Sequence, residues 1–79
     1  MAEFKQGDKV VHLGGRAGLA SRNRGKVLTI VDGPYRISGF TGLRYIVDVP
    51  VYLHEDSTQV YHANAANLLK LRFAKELGI

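Results

Sequence analysis

Gly25-Lys26-Val27-Leu28-Thr29-Ile30-Val31, followed at once by Asp32-Gly33-Pro34, is the stretch on which the fold turns. Val27, Thr29 and Val31 alternate with Leu28 and Ile30, and β-branched residues dominate. Side chains of a strand point to opposite faces with a period of two, so this strand carries apolar groups on both sides. A strand in a very small barrel meets that requirement with one face inside and the other half covered. Gly33 permits a positive φ, and Pro34 fixes φ and removes a donor, so the ladder is expected to stop at Asp32.

The same grammar of short apolar runs between turn residues extends in both directions. Upstream, Gly7-Asp8 turns into a first strand over Lys9–Leu13, Gly14-Gly15 ends it, and a loop rich in Arg, Gly, Ser and Asn leads to Gly25. Downstream, Tyr35–Gly42 reads as a loop, Leu43–Val49 as a third strand capped by Pro50, and Val51–His54 as an extension beyond it. Glu55-Asp56-Ser57 is a turn, Thr58–His62 a fourth strand, Ala63–Asn67 a helical turn and Leu68–Leu71 a fifth strand. In the tail, Ala74, Lys75, Glu76 and Leu77 favour helix and Gly78 ends it. Either Leu71, Ala74 and Ile79 or Phe73 and Leu77 supply its apolar stripe. So short a helix persists only when docked. The expectation is one all-β domain over residues 1–79, with five strands over about 4–71 and a helical tail over 72–79.

With 79 residues there is room for a single core. The chain has no cysteine, which excludes disulfides and thiolate-bound zinc. No apolar run approaches the ~20 residues of a membrane-spanning helix, and Met1–Gln6 lacks the apolar centre of a secretory leader. A cytoplasmic protein with no membrane partner is expected. The net charge is +4 and uneven: residues 1–50 hold eight basic and four acidic residues, residues 51–79 three of each. The basic residues are densest at Arg16, Arg22, Arg24 and Lys26, with no acid between Asp8 and Asp32. Such a patch attracts a polyanion or an acidic protein surface. Arg36, Phe40 and Arg44 extend it, since aromatic rings interleaved with arginines can stack on bases. Tyr45 and Tyr61 are expected in the core instead.

Catalytic chemistry finds little support. Ser21, Ser38 and Ser57 have no triad context, and Gly14-Gly15-Arg16-Ala17-Gly18 lacks the Lys-Ser/Thr of a phosphate loop. His12, His54 and His62 are too widely spaced to suggest a metal site.

The order of parts resembles an SH3-like β-barrel: five strands, a long loop after the first and a helical turn before the last. Phe4-Lys5-Gln6-Gly7-Asp8-Lys9-Val10, Arg24-Gly25-Lys26-Val27, and Val60-Tyr61-His62-Ala63 leading to Leu68 carry the resemblance. Within that fold, Gly7-Asp8-Lys9-Val10, Leu13, Gly15 and Arg24-Gly25-Lys26-Val27-Leu28 resemble the KOW-motif group of ribosomal proteins and transcription elongation factors. That resemblance implies a non-catalytic module, binding nucleic acid or a nucleic-acid machine such as RNA polymerase or the ribosome through Arg16, Arg22, Arg24, Lys26, Arg36, Phe40 and Arg44, with no cofactor. The loop here is longer than the usual spacing of the group. A second likeness, carried by Thr58-Gln59-Val60-Tyr61 and the Gly-Asp-x-Val start, is to the plasmid-type (type II) dihydrofolate reductases. It implies a homotetramer whose central pore takes NADPH and dihydrofolate against Gln59, Val60 and Tyr61. His12 stands where that family has a ligand-binding lysine, and Asn23 where it has an interface tryptophan. A third expectation is a regulatory module that binds protein through a strand edge or the C-terminal tail.

Overall fold

A computed structural model describes residues 3–14, 22–53 and 58–78. Five antiparallel strands form its body: β1 (Lys9–His12), β2 (Val27–Tyr35), β3 (Arg44–Tyr52), β4 (Gln59–Asn64) and β5 (Leu68–Lys70). A 3₁₀ turn at Ala65–Asn67 precedes β5, and a short helix α1 (Leu71–Glu76) follows it. The sheet runs in the order β4-β3-β2-β1-β5. β4 and β5 are its two edges, and among the described residues no ladder joins them, so the sheet is curled but not closed.

Local hydrogen bonds explain the turns. Asp8 N donates to Lys5 O at 3.0 Å while Lys5 N donates to the Asp8 carboxylate at 2.9 Å, which reverses the chain into β1. Lys26 N donates to Asn23 O at 3.0 Å around Gly25, whose φ of +87° is open to glycine at little cost. Asn64 caps the 3₁₀ turn by accepting from Ala66 N at 3.0 Å, and its amide reaches Thr41 O at 3.3 Å.

The core is one cluster around Val10, Leu28, Ile30, Tyr45, Val47, Val51, Ala63 and Leu68, closed at one end by Phe4. Phe4 meets Tyr45 edge-to-face at 5.1 Å, and the Tyr45 hydroxyl accepts from Phe4 N at 3.2 Å, so the aromatic pair also fixes the N-terminal segment.

Three sequence expectations change. The ladder does not end at Asp32: β2 runs on to Tyr35, with register shifts on either side of Asp32 that absorb Val31 and Gly33-Pro34 as bulges. Pro50 does not cap β3, because a further shift between Ile46 and Val51 takes the proline into the irregular part of the pairing. Tyr61 is not a core residue. It is 57% exposed, because the irregular β3–β4 register leaves Val60 packed against the core and Ala63 buried while the ring between them faces outward. In the tail, Ala74 is fully buried and Leu71 half-buried, whereas Phe73 and Leu77 are exposed. The helix therefore docks against β1 and β5 through the first of the two stripes; Ile79 lies outside the described residues.

Candidate functional site

The basic residues anticipated from sequence fall into two groups. Arg16 lies outside the described residues. Arg22 and Arg24 are exposed on the turn that enters β2. Lys26 is half-buried: its Nζ donates to Pro50 O at 2.9 Å and sits 4.8 Å from the centre of the Tyr52 ring. The turn is pinned to the end of β3 by Asn23, which is only 1% exposed. Its Nδ2 donates to Tyr52 O at 2.9 Å and its Oδ1 accepts from Tyr52 N at 2.8 Å, an imitation of one strand pair by a side chain.

The second group gathers where β3 begins. Arg36 is exposed on the β2–β3 connection. From the same connection Phe40 covers Arg44, with the guanidinium carbon 4.9 Å from the ring centre, and meets His62 of β4 edge-to-face at 4.6 Å. Arg44 Nε and His62 Nδ1 are buried under it without a hydrogen-bond partner. Burial lowers the pKa of both side chains, and the Arg44 charge lowers that of His62 further.

The two groups converge on His12. This side chain is 3% exposed, and its Nδ1 accepts from Gly14 N at 2.8 Å, so it is held as a neutral acceptor. Its pKa falls to about 4, first through burial and then through the positive charges of Lys26 and of Arg44. Both positive charges are thus felt at His12, where β1 stops and β5 starts.

Three carboxylates among the described residues are engaged elsewhere. Asp8 accepts from Lys5 N, Asp32 from Gly33 N and the Tyr35 hydroxyl, and Asp48 from Thr29 N. These bonds hold Asp32 and Asp48 below the usual carboxylate range and leave them ionised, but within their own turns and ladders. Lys26 instead contacts Pro50 O and the Tyr52 ring, and Arg44 the Phe40 ring. Groups of three or more metal-ligating side chains are absent among the described residues.

Gln59 and Tyr61 are exposed on the edge strand β4, and Val60 between them packs on the core. His12, the fourth position of the reductase likeness, is buried and does not present its ring to the surface. His54 and Ser57 lie outside the described residues. Sequence reasoning missed Asn23 and His62 as parts of this surface. Neither carries a recognisable spacing: Asn23 acts through a backbone 29 residues away, and His62 is brought in by the fold of the β2–β3 connection. Comparison with protein-family models, with curated proteins and with solved structures found no match in any of the three.

Proposed function

We propose that this protein is a non-catalytic binding module of the KOW-like, SH3-like kind, which holds nucleic acid or a nucleic-acid machine at the basic end of its barrel. The observation that carries this reading is the pair of exposed guanidinium groups, Arg22 and Arg24, on a turn that Asn23 fixes to Tyr52 through two hydrogen bonds. Cations held on a rigid scaffold attract phosphates. Arg22 and Arg24 supply exposed guanidinium groups at the same turn, where bidentate contact to phosphate is available. Phe40 and Arg44 add a planar ring and a planar cation, the pairing that stacks on unpaired bases.

The test is fluorescence anisotropy with labelled single- and double-stranded RNA and DNA over a salt series. Binding is expected to weaken linearly in log–log form, and the Arg22→Ala/Arg24→Ala pair to flatten the slope by about one per lost phosphate contact. No binding at low salt, or binding indifferent to salt, overturns the reading.

A further inference from the structure

A second recognition surface lies at the other end of β1 and β5, away from His12. A groove of about 640 Å³ opens there. The buried Phe4 and Tyr45 line it together with Pro34, the exposed Phe73, Lys5 and Lys70. Its size falls within the range of ligand sites, and its mix of mostly apolar walls with a few charged groups is that of a recognition pocket. Phe73 is 40% exposed although α1 is docked, so its ring is not consumed by the packing of the helix.

Lys70 also lines a shallower depression of about 270 Å³ beside it, shared with Asp8, Lys9 and Arg72. The two meet at Lys70, and Arg72 stacks on Phe73 at 4.7 Å, which sets a guanidinium at the boundary between the apolar part and the basic part. Lys5, Lys70 and Arg72 are the cations beside the pair of depressions; Lys9 also lines the second, but its amine donates to Thr29 Oγ1 and feels Asp48. Glu3 and Asp8 oppose them, and Asp8 is already engaged by Lys5 N. The track therefore reads as an apolar seat followed by positive charge. It is longer than one compact ligand and has chemical direction.

We infer that this groove is a docking site for an acidic peptide segment of a partner protein, with one aromatic or bulky aliphatic side chain seated between Pro34 and Phe73 and the following carboxylates lying along Lys70 and Arg72. Charge complementarity chooses the occupant, because Lys5, Lys70 and Arg72 outnumber Glu3 and the already bonded Asp8 beside the apolar seat. The site is independent of the nucleic-acid reading. None of its lining residues is Arg22, Arg24, Lys26, Arg36, Phe40 or Arg44, and it joins Glu3, Phe4 and Lys5 to residues of β5 and α1.

The experiment titrates a fluorescein-labelled Trp-Glu-Glu-Glu peptide into the full chain, with ¹⁵N amide shifts mapping its position. Saturable binding is expected, with shifts centred on Lys5, Tyr45, Lys70 and Phe73. Replacing the glutamates by lysines, or the tryptophan by alanine, is expected to weaken it about tenfold or more, as each removes one half of the recognition. Lys70→Glu and Phe73→Ala are expected to do the same while keeping a dispersed amide spectrum, and Arg22→Ala/Arg24→Ala to leave peptide binding unchanged. If neither surface variant alters binding in a folded protein, if the lysine peptide binds equally well, or if the shifts centre on Arg22–Lys26, the inference fails. Displacement of the peptide by an oligonucleotide would also overturn it, because the groove would then belong to the nucleic-acid surface.

Discussion

Replacing Asn23 by alanine tests whether a side chain can stand in for a strand partner. The amide makes both hydrogen bonds that a neighbouring strand would offer Tyr52, at 2.8 and 2.9 Å, from a position that is 1% exposed. Each bond contributes about 1 kcal/mol net, and a backbone group left unpaired in a partly buried site costs about 1–3 kcal/mol. Asn23→Ala is therefore expected to destabilise the protein by about 2–4 kcal/mol. Small domains sit at the low end of the usual 5–15 kcal/mol range, so that loss is a large share of the total. Asn23→Asp keeps the acceptor for Tyr52 N but sets a carboxylate against Tyr52 O, and should recover little of the loss. Urea unfolding followed by circular dichroism measures both, and an unchanged m-value confirms that the effect lies in the folded state. A loss below about 1 kcal/mol for the alanine variant would refute the reasoning, since water would then be replacing the amide at no cost. The same variant releases the turn that carries Arg22 and Arg24, so salt-dependent polyanion binding should weaken in any fraction that stays folded.

Three further outcomes follow from particular residues. His12 has a folded pKa of about 4 against 6.5 when free, so below pH 6.5 the unfolded chain takes up a proton that the folded one refuses. Stability is full above 6.5 and is lost as pH falls toward 4, by about 3 kcal/mol in all; His12→Asn, which keeps an acceptor for Gly14 N, should flatten the urea midpoint between pH 7 and pH 4.5. Gly33 has φ +116°, and a Cβ there would lie 3.0 Å from Arg44 O and 3.1 Å from Tyr45 Cα, so Gly33→Ala should cost about 1–3 kcal/mol in thermal or urea unfolding. Ala74 is the fully buried residue of α1, and Ala74→Leu is expected to cost about 1–3 kcal/mol and to speed amide exchange in the helix, whereas an undocked tail would show neither.

The strand count, the helical turn and the helix propensity of the tail were legible because each is a local matter of alternation, capping and helix propensity, whereas the docking of the tail on β1 and β5 came only with the fold. Period two set Leu28 and Ile30 on one face of β2 and Val27, Thr29 and Val31 on the other, and the fold buries the first of these faces. The misjudged boundaries sit at Gly33-Pro34 and Pro50, where a bulge admits residues that a regular ladder would reject. Whether a bulge forms depends on the partner strand, which a local reading does not contain. Tyr61 failed for the same reason, since a register shift turned it outward. The basic residues of the first loop were legible as charge, but not that Lys26 would spend its amine on Pro50 O or that Arg44 would lie beneath Phe40. The groove between Pro34 and Phe73 had no signature in sequence at all, because its lining comes from separated stretches: Glu3 to Lys5, Pro34, Tyr45, and then Leu69, Lys70 and Phe73.

The position of β2 has a mechanical consequence. Its first residues pair with β1, from Val27 to Thr29, and its later ones with β3, from Ile30 to Tyr35. It is the splice between a β1–β5 layer that carries the helix and a β3–β4 layer that carries Arg44 and His62. Tugging on either layer loads the same nine residues, so fluorescence, dichroism and amide exchange should all register one rupture rather than two, and neither layer should survive as a fragment once β2 is cut.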